Sequence, residues 1–291
     1  METEVLAHCT VCGSTAIAVV DRECNIARCC ACGYVFDNPR PTLDELIRFY
    51  SRPFQYSSWL TELEARNRIW KRRVKKLWRT RKKGSLLDVG TGIGQFLSVA
   101  RPSYNEVYGT EVSSKAVKLA KELFDLDLFQ GTIEDLMLGR TFDNITLFHV
   151  LEHVPNPRKT LETCSTLLTH EGVLVIAVPN EVASARNFAH RILAAAGINK
   201  RPLAGKFGLP RISLGSASEE VHLSHFTPRV LRKLLYNLGF SIIEEDLDPV
   251  YLVTGISRLK PELYYYACLA VLRLFKLNIY DTMLVVARKE L

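Results

Sequence analysis

Two arrangements in this 291-residue chain are equipped for chemistry. The first is Asp88-Val89-Gly90-Thr91-Gly92-Ile93-Gly94, which follows Leu86-Leu87 and precedes a helix-forming segment from Gln95 to Ala100. An apolar strand that enters a glycine-rich turn and leaves as a helix is the first half of a βαβ unit. Glycines in the turn let a ligand approach the backbone where a Cβ would collide. The helix start leaves amide groups free for a carboxylate or phosphate. Val107 to Glu111 reads as a second strand ending in an acid. A carboxylate there can accept hydrogen bonds from both hydroxyls of a ribose. Together these residues predict a site for an adenosine-containing cofactor.

The second arrangement is Cys9-x-x-Cys12 and Cys29-x-x-Cys32, with sixteen residues between the pairs. That spacing matches a structural zinc site, and four thiolates in two knuckles suit tetrahedral zinc. Gly13 and Gly33 each follow the second cysteine of a pair, where a knuckle needs an open backbone. Short strands over Ala16 to Val20 and Ile26 to Arg28 would complete a zinc ribbon. Cys24, Cys30 and His8 stand nearby, and an iron–sulfur cluster is the alternative occupant. Four cysteines leave no coordination position open, so the metal is read as structural.

The glycine loop also discriminates among cofactors. A pyrophosphate-binding turn requires G-x-G-x-x-G, and a P-loop ends in Gly-Lys-Ser/Thr; neither pattern is present. What remains, Asp-x-Gly-x-Gly-x-Gly, resembles motif I of the class I S-adenosylmethionine (SAM)-dependent methyltransferases. The resemblance continues in order through Gly131-Thr132-Ile133-Glu134-Asp135-Leu136, the family's adenine-contacting turn. It extends through Phe142 to Val154, with its Val-Leu-Glu-His-Val run, and through Gly172 to Asn180, the fifth strand. It covers about two thirds of the chain, from just before Ser85 to the C-terminus.

The resemblance implies an α/β fold: a Rossmann-like seven-stranded sheet with helices on both faces and the last strand inserted antiparallel. It implies SAM as cofactor, held by Asp88, Gly90, Gly92, Gly94, Glu111, Thr132, Ile133, Glu134 and His149. Many relatives carry Asp where this chain has Thr132, with Glu134 or Asp135 as the substitute. The cysteine ribbon running into Cys32 to Thr42 and a helix ending at Phe49-Tyr50 is similar to members with an N-terminal zinc-binding domain. Some of these methylate nucleotide-linked sugars or natural-product precursors, so the favoured acceptor is a small molecule.

Methyl transfer needs alignment, exclusion of water and often a base. Histidine is the natural base at neutral pH. His225 and His222, in Val221-His222-Leu223-Ser224-His225, are the preferred candidates. His149, at the end of the fourth strand, is a third, divided between catalysis and shaping the cofactor pocket. His153 reads as a packing or capping residue. Tyr50 and Tyr56 read either as aromatics that fold over the cofactor from the front or as ordinary packing residues.

The elements that must position these groups follow from periodicity and turn signals. Residues 1–38 form the ribbon, and 39–83 a helical linker and a first packing helix. Residues 84–291 form the methyltransferase domain, with 181–227 inserted as a lid. Thr42 caps a helix through Phe49, with Glu45 completing a capping box. Leu63, Trp70, Val74, Leu77 and Trp78 recur at helical spacing through an amphipathic helix to Lys83. A helix-like piece spans Ala183 to Ala196, followed by a Gly/Pro/Ser-rich loop from Gly197 to Ser218. Thr227-Pro228 starts a helix through Leu238, Phe240 to Leu247 is a strand, Pro261 to Leu277 a hydrophobic helix, and Ile279 to Arg288 a final strand.

Net charge is +7, but eleven Lys and Arg fall between Arg66 and Lys83 with no acid among them, so the rest of the chain is net −4. A run this basic favours an RNA acceptor if its face is free; a solvated face over a buried Trp/Leu stripe is the preferred reading. A non-catalytic SAM-fold binding protein is the third alternative, disfavoured by the intact glycine motif and Glu111. The hydrophobic fraction of 47% supports a substantial core. The acidic start Met1-Glu2-Thr3-Glu4 lacks a signal-peptide pattern, and Leu263 to Leu272 is too short to span a bilayer. A cytoplasmic enzyme is expected, and the 261–277 helix offers a homodimer face.

Overall fold

The computed structural model describes residues 2–52, 56–80, 84–137, 139–197, 208–214, 221–250, 252 and 255–290. Most of the expected Gly197 to Ser218 loop, and the end of the basic helix from Arg81 to Lys83, lie outside the described residues.

The N-terminal region contains β1 (Thr3–Glu4), β2 (Ile17–Asp21), β3 (Ile26–Cys29), β4 (Val35–Asp37) and β5 (Arg40–Pro41). Helices α1 (Leu43–Tyr50), α2 (Ser57–Thr61) and α3 (Leu63–Thr80) follow. Next come β6 (Ser85–Val89), α4 (Gln95–Ala100), β7 (Glu106–Glu111), α5 (Ser114–Phe124), β8 (Phe129–Gln130), β9 (Phe142–Phe148), α6 (Pro157–Leu167) and β10 (Leu168–Pro179). The chain ends with α7 (Ala185–Ala195), β11 (Ser224–His225), α8 (Pro228–Asn237), β12 (Phe240–Asp246), α9 (Leu259–Phe275) and β13 (Thr282–Lys289).

The seven-stranded sheet runs β12-β13-β10-β9-β6-β7-β8. β10, β9, β6, β7 and β8 pair in parallel, and β13 is inserted antiparallel between β10 and β12. This is the sheet implied by the resemblance. A parallel sheet must be covered on both faces, and alternation along each strand sorts the two layers. Leu87, Val89, Ile145, Leu147, Leu174 and Ile176 point to one side, where α6, α8 and the ribbon residues Val11, Tyr34 and Phe36 pack. Leu86, Phe148, Val173, Val175 and Ala177 point to the other, against Val74 and Leu77 of α3 and Phe96, Leu97 and Ala100 of α4.

The helix starts follow their capping chemistry. The Ser113 hydroxyl accepts from the Ala116 amide at 3.2 Å, and the Asn156 side chain from the Lys159 amide at 3.0 Å; such caps satisfy amides that the first turn leaves open. At α1 the expected capping box is only half made. The Thr42 hydroxyl accepts from the Glu45 amide, but the Thr42 amide donates to the Glu2 carbonyl and the Glu45 carboxylate pairs with Arg48 at 2.8 Å.

The ribbon strands β2, β3 and β4 form an antiparallel sheet completed by β11, whose Ser224 pairs with Phe36 and His225 with Val35. The end of the 181–227 stretch and the ribbon therefore share one sheet. Below it, Tyr34 is hydrogen-bonded to the Ser224 hydroxyl and stacks on Phe36 at 5.2 Å between ring centroids.

Candidate functional site

The glycine loop leaves β6 at Val89 and enters α4 at Gln95. Gly90, Gly92 and Gly94 all have left-handed backbones, with φ of 62°, 58° and 79°, a region that side chains disfavour. Contacts reinforce the requirement. A Cβ on Gly90 would meet Val150 at 2.8 Å, and one on Gly92 would meet the Trp59 ring at 2.7 Å. Trp59 thus lies directly over the loop, with Arg66 stacked on its ring. Nothing in its sequence context marked it.

Glu111 ends β7 beside this loop and is only 6% exposed. Its Oε2 accepts from the Gly92 amide at 2.8 Å and its Oε1 from the Ser113 amide at 2.9 Å. Burial raises its pKa, and these amides partly offset the rise. Asp88, at 3% exposure, accepts from the Thr146 hydroxyl at 2.5 Å. Burial pushes its pKa up to about 7. Two adjacent strand ends therefore carry buried carboxylates, one oriented by two amides and the other poised to change its charge near neutrality.

After β8, Thr132 opens a short 3₁₀ turn over Ile133–Asp135. Its amide and hydroxyl both donate to Asp135 Oδ2, at 3.1 and 2.6 Å. Glu134 accepts from the Thr160 hydroxyl of α6 at 2.6 Å, and Ile133 is buried in the core. Both acids named as substitutes for the missing aspartate are thus engaged locally, Asp135 in the cap and Glu134 on α6.

The histidines gather at the C-terminal ends of β9 and β10. His149 follows β9 with φ of 57°, and its amide donates to the Ala177 carbonyl at 2.8 Å. Its Nδ1 is 3.4 Å from Glu152 Oε1 and its Nε2 is 3.5 Å from Asp248 Oδ2. Burial works against its charged form, but these two carboxylates outweigh it and raise the pKa. His222 Nδ1 lies 2.9 Å from Glu181 Oε1.

His225 differs from the other two. It is 3% exposed, with Nδ1 2.7 Å from Glu181 Oε2 and Nε2 2.9 Å from Asp37 Oδ2. Against the effect of burial, the hydrogen bonds to Asp37 and Glu181 raise its pKa to about 9. A ring that donates from both nitrogens has no lone pair to receive a proton. Both ring nitrogens of His225 thus face carboxylates, and the residue ties the ribbon to the strand ends. Sequence reasoning missed Asp37, Glu181, Glu152 and Asp248. The only available signal was that Glu181 and Glu152 each lie just past a strand end, where ligands bind in open α/β sheets.

Comparison with known proteins decides the family. The methyltransferase domain family (Methyltransf_23) matches residues 63–245, more than half of the chain. The chain belongs to the SAM-dependent methyltransferases. A ubiquinone biosynthesis O-methyltransferase of Haemophilus ducreyi is 31% identical over 111 residues, 34% of this chain and 47% of that protein. An Actinobacillus pleuropneumoniae protein of the same name has the same identity and coverage. The chain thus spans about half the length of the curated relatives it matches. Among solved structures, magnesium protoporphyrin IX methyltransferase from Synechocystis with bound SAH superposes with a TM-score of 0.53 at 14% identity, covering 85% of this chain and all of that one. A chain from the complex of the Haloferax volcanii Trm112 methyltransferase activator with a methyltransferase gives 0.53 at 17%, covering 82% of this chain and 98% of that one. At these identities the structures show the shared fold.

In this methyltransferase the four ribbon cysteines converge. Cys9 and Cys32 sulfurs are 3.7 Å apart and those of Cys12 and Cys29 are 3.5 Å apart. Tetrahedral zinc with bonds of about 2.3 Å separates its sulfurs by about 3.8 Å, so the cage has the right size. Gly13 and Gly33 have φ of 75° and 81°, and each amide closes a knuckle onto the carbonyl of Cys9 or Cys29. Burial pushes the Cys9 thiol up to about 11, the condition that a bound cation would reverse.

The basic helix α3 spends much of its charge inside the methyltransferase. Arg73 is 3% exposed, ion-paired with Asp248 and stacked on Trp70 and Phe148. Lys76 pairs with Glu244 and Asp246 of β12, and Arg72 with Asp248. Although burial opposes it, Arg73 holds the Asp248 carboxyl well below the usual range. Among the described residues, no helix is long and apolar enough to cross a membrane.

Proposed function

We propose that this chain transfers a methyl group from SAM to a small-molecule acceptor, such as a sugar nucleotide or a related biosynthetic intermediate. The observation that carries the reading is Glu111, held by the Gly92 and Ser113 amides at the end of β7. A carboxylate oriented there is matched to a ribose. When bound, SAM supplies an electrophilic methyl on a sulfonium. Asp88 would face its ammonium, the bend through Gly90, Gly92 and Gly94 would run beside its tail, and Thr132, Ile133 and Glu134 would flank its adenine. Trp59 excludes water from the loop. Of the three histidines, His149 and His222 are favoured to accept the acceptor's proton, because His225 faces a carboxylate at each ring nitrogen. The name of the curated relatives supports a hydroxyl as the methylated group.

Zinc is proposed at Cys9, Cys12, Cys29 and Cys32 as a structural ion. The pairing of α3 with Glu244, Asp246 and Asp248 supports a small acceptor over RNA, because these cations are consumed within the protein. On α9, Leu259, Leu263, Tyr266, Leu274 and Phe275 are exposed, which supports the homodimer face over 261–277.

The test is incubation of the full chain with methyl-labelled SAM and, separately, a fractionated small-molecule extract and total RNA. Label in a small-molecule fraction is expected. Label in RNA alone would transfer the assignment to the RNA reading, and SAM binding without label in either would favour a non-catalytic binding protein.

A further inference from the structure

We propose that Glu152, His153 and His222 form a second metal site, for a first-row divalent cation, beside the glycine loop. Its role rests on the methyltransferase reading above: the cation would bind the acceptor through an oxygen and place positive charge where that oxygen loses its proton to His149, with His222 then serving as ligand instead of base. One ligand atom from each of the three residues lies within 4.8 Å of the others.

Glu152 is the central observation. It is 1% exposed, and among the described residues neither carboxylate oxygen has a hydrogen-bond partner. A buried carboxylate without donors is costly unless a charge compensates it. The nearest nitrogens, His149 Nδ1 at 3.4 Å and His153 Nε2 at 3.8 Å from Glu152 Oε1, are ion-pair contacts longer than a good hydrogen bond.

The histidine tautomers point the same way. His153 Nδ1 lies 2.7 Å from the Val221 carbonyl. A carbonyl only accepts, so Nδ1 carries the hydrogen, which the Tyr50 hydroxyl also faces at 3.0 Å. His222 Nδ1 lies 2.9 Å from Glu181 Oε1. A carboxylate accepts, so Nδ1 is the nitrogen that carries the hydrogen in the neutral ring. Metal-bound histidines characteristically donate their other ring hydrogen to a carbonyl or carboxylate, and both histidines do so here.

The backbone holds the three residues together. The Leu223 and Ser224 amides both donate to the Glu152 carbonyl, at 2.8 and 3.1 Å. Val150, three residues before His153, packs against Gly90, so the cluster borders the cofactor loop. Two imidazoles and a carboxylate select a transition ion over Mg²⁺ or Ca²⁺ and leave coordination positions open for an acceptor oxygen. The ribbon cysteines, by contrast, form a closed thiolate cage.

The experiment uses the intact chain with its ribbon zinc in place, titrated with Mn²⁺ and followed by electron paramagnetic resonance, since thiolates discriminate against this ion. One Mn²⁺ per chain is expected, displaced by added Zn²⁺. Glu152→Gln and His222→Gln should each weaken it about tenfold or more, with melting temperature and SAM affinity measured alongside. Absence of saturable Mn²⁺ binding in the parent chain, or equal binding in folded variants, would overturn the site and leave an ion-paired histidine cluster. If SAM fails to bind while Mn²⁺ does, the methyl-transfer reading falls and the metal site stands.

Discussion

His225 Nε2 lies 2.9 Å from Asp37 Oδ2, joining residues 188 positions apart. The contact bridges the ribbon strand β4 to β11, and Glu181 completes it from the end of β10. It ties three distant parts of the chain through one buried imidazolium.

That tie should make stability depend on pH. The pKa of His225 is raised to about 9 by the Asp37 and Glu181 hydrogen bonds, which override burial. A raised histidine contributes fully below its unfolded pKa of about 6.5, and the contribution is lost as pH rises through about 9. The contribution is on the order of 3 kcal/mol. Thermal melts should show the parent chain falling in Tm across that window, while His225→Gln begins lower at pH 6 and varies less. A parent profile flat from pH 6 to pH 10 would contradict the role.

Glu111→Ala removes the proposed ribose acceptor. Loss of charge-assisted hydrogen bonds should weaken SAM by about ten- to a hundredfold, read by calorimetry. Gly92→Ala places a Cβ at 2.7 Å from the Trp59 ring on a left-handed backbone and should lower affinity as well. Unchanged affinity in both variants would place the cofactor elsewhere.

With its pKa pushed to about 7 by burial, Asp88 is mostly neutral at pH 6. Binding a SAM ammonium there requires it to ionise. Affinity should therefore be about tenfold weaker at pH 6 than at pH 8, with proton release visible as a buffer-dependent binding enthalpy. Asp88→Asn should weaken binding and abolish the pH dependence.

Modification of the thiols should release one zinc per chain from the Cys9, Cys12, Cys29 and Cys32 cage. Cys9→Ser with Cys32→Ser should abolish that zinc and lower Tm, because β4 is hydrogen-bonded to β11. Release of far less than one equivalent from fresh protein would rule zinc out.

Arg73→Leu strips the nearest cation from an Asp248 that is 1% exposed, leaving, among the described residues, only the longer contacts of Arg72 at 3.7 Å and His149 at 3.5 Å. Leaving that charge buried should cost about 3–5 kcal/mol. Arg73→Leu combined with Asp248→Leu should recover part of the loss in urea unfolding, whereas a neutral single variant would show that the pair is solvated.

Much of the frame was legible because its signals are local. The Asp88 to Gly94 turn, the Thr227-Pro228 helix start and the closing strands depend on backbone dihedrals, caps and alternation within a few residues. The site was legible only in outline. Arg73 reads as one cation in a basic run, yet its guanidinium lies buried between Trp70 and Phe148. His225 reads as a free base at a strand end until Asp37 and Glu181 occupy both nitrogens. Glu152 reads as a turn residue beside a packing histidine.

The sequence by itself determined the strand–glycine turn–helix, the paired cysteine knuckles and the family resemblance, since each is written in residues close together. Only the tertiary structure decided which carboxylate meets which histidine, that α3 lends its charge to β12, and that β11 joins the ribbon. Those choices link residues that packing on the central sheet brings within hydrogen-bond reach, and no local pattern encodes which distant partner arrives.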